Sequence, residues 1–216
     1  MKNKLIFKDF ALAPYQPIWE AMRTFTMQRT PETIDQIWFG EHLPVFTQGQ
    51  AGKPEHLLSA GNIPVIQSDR GGQITYHGPG QLVIYVLIDL KRKQLTIRPF
   101  VTALENAIIM LLADAKIPAV SEAKAPGVYV NNAKIASLGL RIRKGCSYHG
   151  LSLNVNMDLT PFSAINPCGE PERKIIQMRD FQPRVTITDI QEKLIQFLSQ
   201  TLNYTTMIRE TLKELA

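Results

Sequence analysis

The sequence predicts an α+β fold with a mainly antiparallel or mixed sheet and flanking helices. Three observations carry this. Leu82-Val83-Ile84-Tyr85-Val86-Leu87-Ile88 is apolar on both faces and belongs in the interior of a sheet. Residues 127–156 read as a meander of three strands turning at Asn131-Asn132 and Lys144-Gly145, residue types that tolerate positive φ. Helical spacing of apolar residues at 16–29 and 102–115 supplies the other layer.

Taken in order, the first helix carries Ile18, Trp19, Met22 and Phe25 on one face. Ile37-Trp38-Phe39 and Pro44-Val45-Phe46-Thr47 read as short strands, and 74–77 as another. The second helix turns Leu104, Ile108, Leu111 and Leu112 to the core and ends before Pro118. Thr188 followed by Gln191 resembles a capping box opening a third helix through Ile190, Leu194, Phe197 and Leu198.

The 216 residues are expected to form one domain over 1–216 with a substantial core, and 44% hydrophobic and 20% charged residues are ordinary for a globular chain. No uncharged apolar stretch approaches the ~18 residues of a membrane span, and the N-terminus lacks a signal-peptide run. A cytoplasmic protein without membrane association is expected. The two cysteines, Cys146 and Cys168, form no CxxC pair and read as free thiols in a reducing compartment. The four histidines lack metal-ligand spacing, so neither metal nor cofactor is expected. The net charge of +5 comes with no nucleic-acid signature; solubility or an acidic macromolecular partner accounts for it. A monomer is the default expectation.

Two polar residues break the meander's pattern. Period-2 alternation puts Lys134 on one face with Ala136, Leu138, Leu140 and Ile142, and His149 with Leu151, Leu153 and Val155. A two-residue turn at Lys144-Gly145 predicts that Arg143 pairs with Cys146, Leu140 with His149 and Lys134 with Val155, so both intrusions face one apolar surface. The plainer reading is a lysine reaching its tip to water and a hydrogen-bonded structural histidine.

Arg70-Gly71-Gly72-Gln73-Ile74-Thr75-Tyr76-His77-Gly78-Pro79-Gly80 places four glycines within eleven residues. Without β-carbons a ligand can approach the main chain. The segment is neither a P-loop nor a dinucleotide fingerprint. It reads either as a structural turn or, with Arg70 and His77 beside it, as a site for a polar or thioester-bearing ligand. Cys168 is framed by Pro167 and Gly169, which fix the local chain and leave room at the sulfur. A free thiol of pKa ~8.5 is only about 3% ionised at neutral pH. A neighbouring ammonium that lowered it by ~2 units would supply ~2.7 kcal/mol. Lys134 is the candidate; Cys146, beside a tight turn, reads as structural.

These pieces resemble the lipoyl(octanoyl) transferase family. The resemblance rests on 70–81, Gly127-Val128-Tyr129-Val130, Lys134-Ile135-Ala136-Ser137-Leu138-Gly139-Leu140-Arg141, His149-Gly150, Leu153-Asn154-Val155-Asn156 with Asp158-Leu159, and Pro167-Cys168-Gly169, in the family's order over roughly 30–200. Ser152 departs from the alanine of many members, and the stretch after Gly169 varies. The resemblance implies a fold like biotin and lipoate protein ligase catalytic domains, related to class II aminoacyl-tRNA synthetases. It implies that Cys168 takes octanoyl from acyl carrier protein as a thioester and passes it to a lysine amine on a lipoyl domain. The acceptors would be E2 subunits of 2-oxo acid dehydrogenases and the glycine cleavage H protein, with Lys134 activating the thiol and assisting proton transfer. By motif position, Arg70, Gly71, Gly72, Gln73, Ile74, Thr75, Tyr76, His77, Ser137, Leu138, Gly139, Gly150, Leu151 and Ser152 would bind substrate, with His149 a possible auxiliary. An ATP-dependent lipoate or biotin ligase, an amidotransferase between lipoyl proteins, and a binding module without catalysis are the rival readings. The presence of both Cys168 and Lys134 disfavours the last.

Overall fold

The polypeptide runs β1 (Lys4–Ala13), α1 (Tyr15–Met27), β2 (Asp35–His42), β3 (Val45–Gln48), β4 (Val65–Gln67), β5 (Ile74–His77), β6 (Gln81–Leu87), α2 (Leu90–Lys93), α3 (Ile97–Asp114), β7 (Val120–Glu122), β8 (Ala125–Val130), β9 (Ala133–Arg143), β10 (Cys146–Asn154), α4 (Ile187–Thr201) and β11 (Thr206–Thr211). This is a computed structural model, and it describes residues 3–123, 125–166 and 173–211. An eight-stranded sheet has the order β11-β1-β2-β6-β10-β9-β8-β7, and a three-stranded sheet the order β4-β3-β5. The large sheet is mixed: β1 pairs in parallel with β2 and β11, while β2, β6, β10, β9, β8 and β7 pair antiparallel in succession.

The apolar run is the interior strand expected of it. All seven residues of β6 are buried, and they feed two cores. Leu82, Ile84 and Val86 join Leu104, Ile108, Leu111 and Leu112 of α3 and Leu194, Ile195 and Leu198 of α4. Val83, Tyr85 and Leu87 meet Ile18 and Met22 of α1 on the other side. A third core, with Phe46, Tyr76 and Phe162, lies under the small sheet.

Both meander turns form as read, with φ of +49° and +64° at Asn131 and Asn132 and +52° and +82° at Lys144 and Gly145. Arg143 pairs with Cys146 and Leu140 with His149. Other expectations are corrected. The capping box of α4 is Thr186 with Asp189, two residues earlier than read, because Thr186 rather than Thr188 has the extended backbone of a cap. α3 begins at Ile97, since Pro99 sits in its first turn, where a missing N–H costs nothing. β1 and β11 carry no strict alternation and escaped sequence reading. Their end of the sheet is pinned by buried Asp35, which pairs with Arg29 and Arg92 and accepts from the Tyr204 hydroxyl at 2.6 Å.

Candidate active site

Small residues make a floor on the α1 side of the large sheet. Ser137 is opposite Ser152, which is opposite Val83; one row on, Gly139 is opposite Gly150, which is opposite Tyr85. Successive rows lie ~6.6 Å apart along the strands. Over this floor lies the glycine loop. Gly71 donates its N–H to Leu140 O at 2.9 Å, and a β-carbon on Gly139 would come within 2.9 Å of Gly71 O, so glycine lets the two backbones touch. Gly80, at φ +86°, accepts from the N–H groups of Val155 and Asn156 at 3.1 and 2.9 Å and closes the loop's far end on β10.

Between floor and loop is a slot of about 60 Å³. It is lined by Arg70, Gly72, Gln73, Ile74, Thr75 and His77 from the loop and β5, and by Ser137, Leu138, Gly139, His149, Gly150, Leu151 and Ser152 from the meander. Tyr15, Val83 and Tyr85 complete it. Two of the residues read as substrate-binding fall outside the lining: Gly71 docks its backbone on β9, and Tyr76 packs its ring against Phe46 and Phe162. Lys134 is outside the lining too. A larger groove of about 560 Å³ lies between α3, α4 and residues 178–185 and contains none of the motif residues. Among the described residues no group of His, Cys, Asp and Glu is placed to hold a metal, and no helix is long and apolar enough to cross a membrane.

Arg70 holds the loop's shape. It is 8% exposed and donates to Thr47 Oγ1 at 3.0 Å, Gly71 O at 2.8 Å, Gln73 O at 2.6 Å and Thr47 O. His42 and His77 have both ring nitrogens engaged: His42 with Ala13 O and the Tyr85 hydroxyl, His77 with Gln81 Oε1 and Thr47 Oγ1. Burial lowers His42 to about 4 and His77 to about 3, so both are neutral. Burial pushes the Tyr15 phenol up to about 12.

Lys134 and His149 both turn to the face of the sheet that carries the slot, by different distortions, and His149 lines the slot itself. Tyr129 pairs with Lys134 while Val128 pairs with Ala136, so Ile135 is an extra residue in β9. This bulge keeps Ile135 and Ala136 in the α3 core and turns Lys134 over, its ammonium 5.3 Å from the Tyr129 ring centroid. Lys134 is only 2% exposed. The predicted pairing with Val155 does not form: Lys134 N–H donates to Lys174 O at 2.8 Å and its carbonyl accepts from Ile176 N–H at 3.0 Å. In β10, His149 adopts φ +58°, which brings its ring beside Tyr148 and onto Asp69. Its Nε2 donates to Asp69 Oδ1 at 2.8 Å, while its buried Nδ1 has no partner among the described residues. Burial works against the Asp69 charge, yet hydrogen bonds from His149, Tyr148 and Trp19 outweigh it and hold the carboxyl below the usual range. His149 is lowered by burial, partly offset by Asp69.

Cys168, with Pro167 and Gly169, lies outside the described residues. Its chain neighbours are anchored: Asn166 N–H bonds His56 O at 2.8 Å, and Arg173 pairs with Glu122 at 3.0 Å. Cys146 is a buried free thiol, pushed up by burial. Sequence reading missed Asp69, although it directly precedes Arg70. It also missed Tyr85, whose polar tip in an aliphatic run was the available signal.

Residues 14–199 match the lipoyl protein ligase A/B catalytic domain. The chain is 55% identical over 205 residues to the octanoyltransferase of Photorhabdus laumondii, covering 94% of this chain and 96% of that one. It is also 55% identical over 204 residues to the octanoyltransferase of Vibrio cholerae, covering 94% of each. Its fold is similar to a lipoate-protein ligase A bound with ATP (TM-score 0.79, 19% identity, 100% of this chain and 91% of that one). It is similar too to a biotin protein ligase from Aquifex aeolicus (TM-score 0.55, 13% identity, 94% and 70%). The chain is an acyltransferase and belongs to the octanoyltransferase family of lipoyl protein ligase A/B catalytic domains.

Proposed function

We propose that this protein transfers octanoyl from acyl carrier protein to a lysine ε-amine of lipoyl domains, through a thioester on Cys168. Residues 1–216 act as one catalytic unit in the cytoplasm, and the E2 subunits of 2-oxo acid dehydrogenases and the glycine cleavage H protein are the acceptors. The Cys168 thiolate, its proton held by Lys134, adds to the donor carbonyl; a C–S bond forms, the donor's C–S bond breaks, and the carrier leaves as its thiol after taking that proton from Lys134. The acceptor amine then adds to the acyl-enzyme. A C–N bond forms, the bond to Cys168 breaks, and the amine's proton passes through Lys134 to the departing thiolate. Exchange of thioester for thioester is nearly neutral and thioester to amide runs downhill, so the scheme needs no nucleotide. The slot takes the alkyl chain, whose burial contributes ~0.8 kcal/mol per CH₂, its walls parting to admit it.

The observation that carries this reading is Lys134: a 2% exposed ammonium on the slot side, hydrogen-bonded through its backbone to the chain shortly after Cys168. A buried ammonium beside a thiol favours the thiolate. The test is intact-mass measurement after mixing with octanoyl-carrier protein. Wild type is expected to gain an octanoyl mass removable by hydroxylamine, Cys168→Ser none, and Lys134→Ala to gain it far more slowly. Modification of a lipoyl domain only with ATP and free octanoate would refute the scheme.

A further inference from the structure

One row beyond the slot floor, Gln81 of β6 is opposite Asn154 of β10, and both side chains are buried, at 1% and 4% exposure. The orientation of each follows from acceptors that cannot donate. A backbone carbonyl can only accept, so the Asn154 nitrogen turns to Ile176 O at 3.0 Å and its Oδ1 to the Gln81 nitrogen at 2.9 Å, which also donates to Tyr76 O at 3.2 Å. Gln81 Oε1 is left to accept from His77 Nδ1–H at 2.6 Å. His77 Nε2 is then the acceptor for the Thr47 hydroxyl at 3.3 Å, and Thr47 Oγ1 accepts from Arg70 Nε at 3.0 Å. Flipping either amide would set oxygen against oxygen in a buried place.

We propose that Asn154, oriented by this chain through Gln81, is a positioning residue for acyl transfer: it fastens Ile176, and the stretch that follows Cys168, onto the backbone of Lys134. The proposal rests on the Cys168–Lys134 reading above. Ile176 uses its N–H on Lys134 O and its carbonyl on Asn154, so one residue joins the end of β10 to the bulge of β9. The same chain of hydrogen bonds begins at the glycine loop, so it ties the slot's roof to Ile176. A neighbouring grip, Met157 N–H to Gln177 Oε1 at 2.7 Å, holds the same stretch without touching the Lys134 bridge and serves as the control.

The experiment measures octanoylation by intact mass, and the pH dependence of Cys168 alkylation by iodoacetamide, resolved by peptide from buried Cys146. Asn154→Asp keeps the size but sets an oxygen against Ile176 O; Asn154→Ser falls short of it. Both are expected to raise the apparent Cys168 pKa by about one unit, so the thiolate fraction near neutrality, and the acylation rate with it, fall about tenfold. Gln177→Leu is expected to lower the melting temperature while leaving the Cys168 pKa in place. Wild-type pKa and rate in either Asn154 variant, or an equal pKa shift in Gln177→Leu, would overturn the proposal. Failure of both Asn154 variants to fold while Gln177→Leu folds would also overturn it, leaving Asn154 a structural residue. If wild type itself forms no octanoyl thioester on Cys168, the function proposed above falls first.

Discussion

Mild acid should destabilise this protein before its carboxylates titrate, through His42 and His77. Their rings lie 6.0 Å apart, both nitrogens of each are hydrogen-bonded, and neither can take a proton without giving up an accepted bond. With folded values of about 4 and about 3 against 6.5 for a free imidazole, the unfolded chain binds protons that the folded one refuses. Stability is therefore full above pH ~6.5 and falls as pH drops toward the folded values. His42 alone, moved by roughly 2.5 units, accounts for roughly 3 kcal/mol across that window. The lowering of His77 includes repulsion from a protonated His42, so the two contributions do not simply add. With two protons at stake the slope approaches ~2.7 kcal/mol per pH unit between about pH 6 and pH 5. Urea unfolding across that range measures it. His42→Asn and His77→Asn, which keep a donor near Nδ1, should each flatten the slope by up to ~1.4 kcal/mol per pH unit while lowering absolute stability. Identical slopes in wild type and both variants would refute the account.

A β-carbon on Gly139 meets Gly71 O at 2.9 Å, so Gly139→Ala must lift the glycine loop. It should cost about 1–3 kcal/mol and raise KM for the acyl donor, checked by thermal unfolding and initial rates. Asp35→Asn leaves Arg29 and Arg92, at 4% and 10% side-chain exposure, without their carboxylate. It should cost about 3–5 kcal/mol in urea unfolding, and a loss under ~1 kcal/mol would show that the ion triad contributes little.

The meander was legible because its signals are local: turn residues with positive φ set the hairpin register, and register sets which side chains meet. The glycine loop was legible as a place of close approach for the same reason, since Gly71 and Gly139 each lack the atom that would keep two backbones apart. What was not legible is long-range. β1 and β11 pair in parallel across nearly the whole chain, and no feature of either strand names the other. Asp69 gains its role from Trp19, Tyr148 and His149, separated from it by 50 to 80 positions.

The misreading of Lys134 and His149 is informative about strands in general. Ideal alternation set Lys134 with Ala136 and Leu138 and His149 with Leu151 and Leu153 on one common face; the fold turns those neighbours to α3, where an imidazole or ammonium would be buried among Leu, Ile and Val. Leaving such a group unpaired in a core costs at least 1–3 kcal/mol. A left-handed φ at a non-glycine residue costs about 1–2 kcal/mol. A bulge that leaves one residue outside the ladder is an alternative of the same kind. Distortion therefore wins over burial wherever a partner waits on the other side, as Asp69 waits for His149 and the Tyr129 ring for Lys134. A polar residue at a core-facing position of an otherwise apolar strand thus forecasts a break in the strand as much as a site. Here each break delivers its side chain to the same side of the sheet, where the small residues of β9 and β10 leave room beneath the glycine loop.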